Sequence, residues 1–534
     1  MAAGTAQVVR RGAAGTVNRL LAGAVASGVL GITSFASGAP PAADYVSAAR
    51  PNGVVGGAAA RALSTAIADA LQARSDVAEP DGALAVAAAW FVAAGAEGRR
   101  RGAGIAARRS GFVGEVLTAA VFPLGEPDHW RRALGALARN FPVTRYGVYV
   151  SPDGRVAGVV FADVSLTLEP FPRHLHAGAT LKLRGEIAHR FDRASVHVTG
   201  VDGRVRQTRF QGRGIVTDLR LTAAGVYRVE VMGDGAAGPT VLANVPIYVD
   251  VAEPDLDLPA EASQSDGPAR APGDAQAQML ALLNESRRAA GVAELISDGE
   301  LAAIALAHTR DMDAGHFFGH QSPTTGRIED RVRRAGVSVV KLGENISQGD
   351  SVEAAHAALM GSPSHRANML EPTFTHVGIG AVIRSVERPA LLATLVFARR
   401  PRVRAQPVTS AVASDFISSR RRARGNGPLS IDLLLQQAAE AGIDVVRRSG
   451  ATVVAAAALD AAQAALAREA KRLHQSRPAV CAQLVRVMEL EELEEDRLVT
   501  DAGLGRIGVA AAEKKVGTVA EIYVLFLLES TTCK

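Results

Sequence analysis

Five residues set the first constraint on this chain. Arg287, Arg288, Gly291, Leu295 and Asp298 recur as Arg421, Arg422, Gly425, Leu429 and Asp432, each displaced by the same 134 positions. A constant offset means one supersecondary unit built twice, because an insertion inside either copy would break it. Two further marks extend the pattern. An Asp at a helix start is followed by a strand of the form x-Gly-apolar at Asp298 and Gly378, at Asp432 and Gly508, and at Asp81 and Gly147. After each Gly comes a last apolar strand: Leu395-Val396-Phe397, Val524-Leu525-Phe526 and Val159-Val160-Phe161. Three copies of one domain is the economical reading; for the first copy, chance matching in an Ala-rich chain is the alternative.

Length agrees with this. A chain of 534 residues is too long for one core and implies three or four domains. Residues 251–274 hold Pro254, Pro259, Pro268 and Pro272 among acidic residues and Ser, and read as a linker. A second seam lies near Arg399 to Ser410. Between the linker and the N-terminal unit, residues 167–250 change to short alternating runs such as Ser195-Val196-His197-Val198-Thr199 and Tyr227-Arg228-Val229-Glu230-Val231. Asp202-Gly203 and Asp234-Gly235 mark turns, so this part reads as an antiparallel β-sandwich. It carries no visible chemistry, which suits spacing or adhesion. The fold class is therefore multidomain α/β plus β, with units at 60–166, 167–250, 275–400 and 405–534.

Composition narrows the partners. Apolar residues make up 48% and charged residues 21%, as in ordinary globular proteins. A net charge of +5 with no basic stripe interleaved with aromatics gives no reason to expect nucleic acid. The runs Arg99-Arg100-Arg101 and Arg420-Arg421-Arg422 read as solvated surface. Two cysteines, Cys481 and Cys533, make neither a disulfide scaffold nor a zinc cluster; one bridge and two free thiols both fit. At the N-terminus Arg10, Arg11 and Arg19 precede the apolar stretch Leu20 to Ile32, with Ser34-Phe35-Ala36 as a small-x-small site. Residues 1–39 thus have the layout of a secretory signal peptide, with a disordered leader as the competing view. The signal reading places the protein outside the cytoplasm, secreted, periplasmic or at the cell surface. No later segment is long and apolar enough to span a bilayer.

The central unit alternates helices and strands. Met279, Leu282, Leu283 and Ser286 share a helical face that ends at Gly291. Ser297 and Glu300 form a capping-box pattern before Leu301, Ile304, Ala305, His308 and Met312, which recur at helical spacing. His308 reads as the edge of that face rather than as a ligand. Phe317 and Phe318 are candidates to anchor the loop from His316 to Pro323, and Ser322 beside Pro323 suits a turn better than a nucleophile. A helix from Ile328 to Ala335 precedes Gly343-Glu344-Asn345-Ile346. Ser351 caps a helix through Met360, and strands are expected at Val377 to Ile383 and Ala390 to Ala398. The polar His and Glu segments fall in the connections, where chemistry is usually held.

The runs Phe318-Gly319-His320-Gln321-Ser322-Pro323, Gly343-Glu344-Asn345, Ser362-Pro363-Ser364-His365-Arg366-Ala367-Asn368-Met369-Leu370 and Val377-Gly378-Ile379-Gly380 resemble bacterial secreted members of the CAP superfamily. This is the cysteine-rich secretory, antigen 5 and pathogenesis-related group, also described as the SCP-like extracellular domain. The resemblance covers about 125 of 534 residues. It implies a CAP-type α-β-α sandwich at 275–400 with a mostly antiparallel sheet and an open His/Glu cleft. The units at 60–166 and 405–534 then become degenerate CAP-like copies. Between their marker residues they hold only His129 and His474 and no Gly-Glu-Asn.

The family cleft usually holds two His and two Glu. His320 and Glu344 match the first of each. The second Glu is missing from Ala358-Leu359-Met360-Gly361-Ser362, and Thr373 holds the place of the last His, which leaves His365 and His376 as lesser candidates. His320, Glu344 and His376 are the set to consider for a zinc ion. Alternatively, Glu344 orients His320 as a base. No motif sets up a Ser or Cys nucleophile, so binding is preferred over catalysis. The expected partner is a lipid, a glycan or another cell-envelope component such as peptidoglycan. The alternatives are a metal-dependent or His-based hydrolase and an architectural surface protein with a residual cleft.

Overall fold

The structure is a computed structural model that describes residues 44–72, 78–93, 104–125, 134, 143–236, 238–253, 272–349, 351–384, 391–401, 406–450, 453–476, 478–516 and 519–529. The leader at 1–39, Arg99 to Arg101, His129, Cys533 and most of the linker at 251–274 lie outside the described residues. Cys481 is disulfide-bonded.

The N-terminal part comprises α1 (Gly57–Gln72), β1 (Glu79–Pro80), α2 (Gly82–Ala93), β2 (Glu115–Pro123), β3 (Arg145–Val150) and β4 (Val156–Asp163). Next come the strands β5 (Leu166–Leu168), β6 (Thr180–Ile187), β7 (Phe191–Thr199), β8 (Val205–Arg209), β9 (Gly214–Arg220), β10 (Gly225–Gly235) and β11 (Gly238–Val249). The central part holds α3 (Pro272–Ala289), β12 (Ile296–Ser297), α4 (Gly299–Gly315), α5 (Ile328–Arg334), β13 (Lys341–Gly349), α6 (Val352–Met360), α7 (Pro363–Met369), β14 (His376–Ile383) and β15 (Leu391–Arg399). The last part holds α8 (Ser410–Ala423), β16 (Ser430–Ile431), α9 (Leu433–Arg448), α10 (Ala455–Arg472), β17 (Val480–Val487), α11 (Arg497–Thr500), β18 (Arg506–Val516) and β19 (Val519–Glu529).

Three sheets repeat one plan. The short strands β1, β12 and β16 run parallel to β3, β14 and β18. Those pair antiparallel with β4, β15 and β19, which pair antiparallel with β2, β13 and β17. An Asp follows each short strand and caps the next helix. Asp81 accepts from the Ala83 amide at 2.8 Å, Asp298 from Glu300 and Leu301 at 2.9 and 3.1 Å, and Asp432 from Leu435 at 3.0 Å. The cap of α4 is thus Asp298 rather than Ser297, because Ser297 is spent pairing with Val377 in the sheet.

The Gly in each sheet has a packing reason. A Cβ on Gly147, Gly378 or Gly508 would fall 2.1, 2.1 or 2.2 Å from the carbonyl carbon of Leu84, Leu301 or Leu435. Each of these Leu residues follows its capping Asp by three positions. The helix therefore rides directly on the strand, and any side chain would push it off.

The offset of 134 also has a physical content. Arg287 and Arg421 are both fully buried, so Arg421 is not the solvated surface residue expected of the Arg420-Arg421-Arg422 run. Arg287 donates to the carbonyls of Ala293, Met369 and Glu371 at 2.6, 2.7 and 3.1 Å. Arg421 donates to Gly427, Leu498 and Asp501 at 2.9, 2.9 and 2.7 Å. Each guanidinium ties its helix to carbonyls of loops and of short helices, Met369 in α7 and Leu498 in α11.

In the central part, alternate residues of the sheet face opposite layers. Val377, Ile379, Leu395 and Phe397 pack on α3 and α6, while Val396 and Ala398 pack on α4 and α5. Gly291 has φ +70° after α3, the left-handed conformation expected there. Of the two loop aromatics, Phe317 packs beside Met312, Ile346 and Leu392, whereas Phe318 is exposed.

The strands of the β domain form two antiparallel sheets around one core. One is β9-β6-β5 and the other β8-β7-β10-β11, with a short strand His174–Leu175 added in parallel to β11. Val196, Val198, Val229 and Val231 point inward, which leaves Ser195, His197, Thr199 and Glu230 on the outer face. That face packs on α7 of the central part.

Candidate functional site

His320 lies in the loop between α4 and α5, and Glu344 lies on β13. Glu344 stands in register with Val396 of β15 and, through it, with Gly378 of β14. It shares the face of the sheet that α4 and α5 cover, and its side chain is only 2% exposed.

A carboxylate so buried needs partners. His320 Nδ1 meets Oε1 at 2.9 Å, and the Arg331 guanidinium, from α5, donates to Oε2. Arg331 also reaches His308 Nδ1 at 2.8 Å and the carbonyls of His320 and Gly326 at 3.3 and 3.2 Å. His308 Nε2 lies 3.0 Å from the Gly319 carbonyl. Arginine only donates, so His308 is the neutral tautomer that accepts at Nδ1 and donates at Nε2. Burial, foremost, pushes its pKa down and keeps it neutral.

Glu344 also fixes how His320 lies. Nδ1 is the ring nitrogen it engages, which leaves Nε2 as the nitrogen not taken by Glu344, on a side chain that is 19% exposed. The site is an oriented imidazole at the protein surface, backed by a buried carboxylate and guanidinium. Sequence reasoning missed Arg331 and left His308 at the rim. The spacing held the signal: Ile328, Arg331 and Val332 form one buried stripe of α5, and His308 lies on the inward face of α4.

His365 is near this pair. It is half-buried at the start of α7, and Nδ1 lies 2.7 Å from Ser362 Oγ. Its backbone carbonyl accepts from Asn345 at 3.0 Å, and Asn368 braces Asn345 at 2.9 Å and the Glu344 carbonyl at 3.3 Å. Burial, then the nearby His320 and His197, push the His365 pKa down. His376 is elsewhere. It sits at the start of β14, with β15 between it and β13, and it contacts Thr375 at 2.8 Å.

The donor set expected for zinc is not brought together. Glu344 already pairs with the Arg331 cation and with His320, and His376 is two strands away. Among the described residues no three His, Cys, Asp or Glu converge as metal ligands.

The model of the cysteine-rich secretory protein family, CAP, matches residues 280–388. This region is a CAP domain. Over 128 residues the chain is 37% identical to the uncharacterized protein YkwD of Bacillus subtilis (strain 168), covering 23% of this chain and 50% of that one. Over 105 residues it is 34% identical to the uncharacterized membrane protein YlbC of the same organism, covering 19% of this chain and 30% of that one. The chain thus spans half the length of the first of these curated relatives and less of the second. An extracellular protein containing an SCP domain from Bacillus anthracis aligns at TM-score 0.23 and 19% identity, over 44% of this chain and 86% of that one.

Register gives the corresponding position in the other two sheets. The place of Glu344 beside Val396 and Gly378 is taken by Ala482 beside Leu527 and Gly508, and by Ala119 beside Val160 and Gly147. Neither flanking sheet presents a carboxylate there. Among the described residues no helix is long and apolar enough to cross a membrane.

Proposed function

We propose that this protein works at the cell envelope or outside the cell and that its CAP cleft binds a ligand through His320 without transforming it. The observation that carries this reading is the engagement of Glu344, each of whose oxygens is held, one by His320 and one by Arg331. A carboxylate held in this way serves to orient the imidazole. The hydroxyl nearest in sequence, Ser322, is held by Asp311 in a turn with Thr324 and Thr325. Suitable ligands present a hydroxyl or amide to Nε2, which suits lipid headgroups, glycans and peptidoglycan. The leader pattern at 1–39 and the secretory family match support the location.

The parts at 60–166 and 405–534 are degenerate CAP-like copies in this reading. Their capping Asp, packed Gly and strand order support it, and Ala119 and Ala482 mark the lost cleft. They then serve as structural or docking modules.

A second reading, a His-based hydrolase, is favoured by one feature: the carboxylate-oriented His320 has the form of a general base. Incubating the full chain with peptide and ester pools, with and without a chelator, separates the two. The binding reading expects no turnover above that of His320→Ala. Turnover lost in that variant would replace it with the hydrolase reading.

A further inference from the structure

Glu230 lies on β10 of the β domain, yet its carboxylate is spent on the CAP domain. It is 0% exposed and accepts from Ser362 Oγ and, at 2.8 Å, from the Ser364 amide at the start of α7. The residues beside it across the sheet join the contact. Register places Gln207, His197, Glu230 and Asn244 in one row over β8, β7, β10 and β11. Asn244 donates to the Gly361 carbonyl at 3.0 Å. From the other side, Arg366 donates to the Gly203 carbonyl at 3.1 Å. The turn between β10 and β11 reaches His320 itself: a Cβ on Gly238, which has φ +91°, would lie 3.0 Å from His320 Cβ.

This contact is polar and incompletely satisfied. His197 Nδ1, Thr199 Oγ1 and Asn244 Oδ1 are buried without a hydrogen-bond partner among the described residues. Such orphaned groups cost free energy that water would restore on separation. A permanent domain core buries apolar surface, whereas separable domain contacts are polar.

We propose that the β domain is a detachable cover of the CAP cleft, latched by Glu230 and Asn244 onto the Gly361 to Ser364 turn. Docked, it holds the α7 wall and crowds His320; detached, it opens the wall that carries Ser362 and His365. The inference takes its purpose from the binding reading above, but its test reads access rather than ligand, so the two fail separately.

Carbethoxylation of histidines in the full chain, followed by peptide mass spectrometry, provides that test. His197 is 8% exposed beneath α7 and reports the cover, while His308, 1% exposed inside the CAP domain, reports unfolding. In Glu230→Lys the latch meets an unwanted charge on a residue that faces away from the β core. The cover predicts that His197 reacts about tenfold faster or more, with His308 unchanged. Asn244→Ala, a milder change, raises the His197 rate by a smaller factor. Unchanged His197 rates in both variants would overturn the proposal. A joint rise at His197 and His308 would also overturn it, since the two domains would then be one folding unit.

Discussion

Arg331 and Glu344 form an ion pair that is almost wholly out of solvent, with 5% and 2% of the side chains exposed. Such pairs add little net stability when intact but cost a great deal when halved. Arg331→Met leaves the Glu344 carboxylate buried with only His320 for a partner. The expected loss is about 3–5 kcal/mol. The double change Arg331→Met with Glu344→Gln recovers part of it, because no charge is left stranded. Peptide-resolved hydrogen exchange over β15 measures both, as this strand packs against α4 and α5.

The glycines of the three sheets make a second prediction. Ala at Gly147, Gly378 or Gly508 drives a methyl into helix backbone only 2.1 or 2.2 Å away. Each substitution is expected to cost about 1–3 kcal/mol or more, local to its own sheet. Gly→Ala at Gly273, with nothing near its Cβ, is the control. Local hydrogen exchange in the three parts checks that the losses are similar and separate.

Much of this was legible from the chain alone, and the reasons are local. The capping Asp, the Gly of each sheet and the Arg pair at offset 134 leave marks within a few residues, but the burial of Arg421 does not, because a run of three Arg reads as solvated surface until the carbonyls it meets are known. The bounds of the expected strands moved by only one residue, as with β14 at His376–Ile383, but the segments around Glu344 and His365, expected in connections, form β13 and α7. Ser297 was misread as a cap because a two-residue parallel strand has no pattern of its own. The role of Glu230 was hidden for a different reason. Alternation in Tyr227-Arg228-Val229-Glu230-Val231 says that Glu230 faces outward, but its partner Ser362 lies 132 residues away. His376 was drawn toward the cleft by sequence nearness, and the strand between it and Glu344 keeps it out.

Acidity should act on the contact between the β and CAP domains. Burial, then Arg209, pushes His197 down to about 4 from 6.5, so the docked form disfavours its proton. His365, beside His320, is pushed down as well. The detached state therefore binds more protons below 6.5, and docking weakens as pH falls from there, by about 1.4 kcal/mol per unit for each fully responding imidazole. Glu230 is pushed up by burial, which acts in the opposite sense: its docked form favours a proton, and its contribution is lost as pH rises through its raised value. Glu230→Gln removes that opposing contribution. The urea midpoint of the variant should fall more steeply between pH 6.5 and about 4.5 than that of the native chain. Parallel profiles would contradict the assignment.

The central claim is that His320 is where the CAP cleft meets its ligand. Its most direct test is equilibrium binding of the full chain to anionic lipid vesicles and to purified peptidoglycan sacculi, with His320→Ala compared at equal folded fraction. Loss of one hydrogen bond from an oriented imidazole predicts affinity lower by about tenfold for whichever surface the native chain binds. Equal affinity of the two proteins for that surface would contradict the claim and move the site elsewhere on the chain.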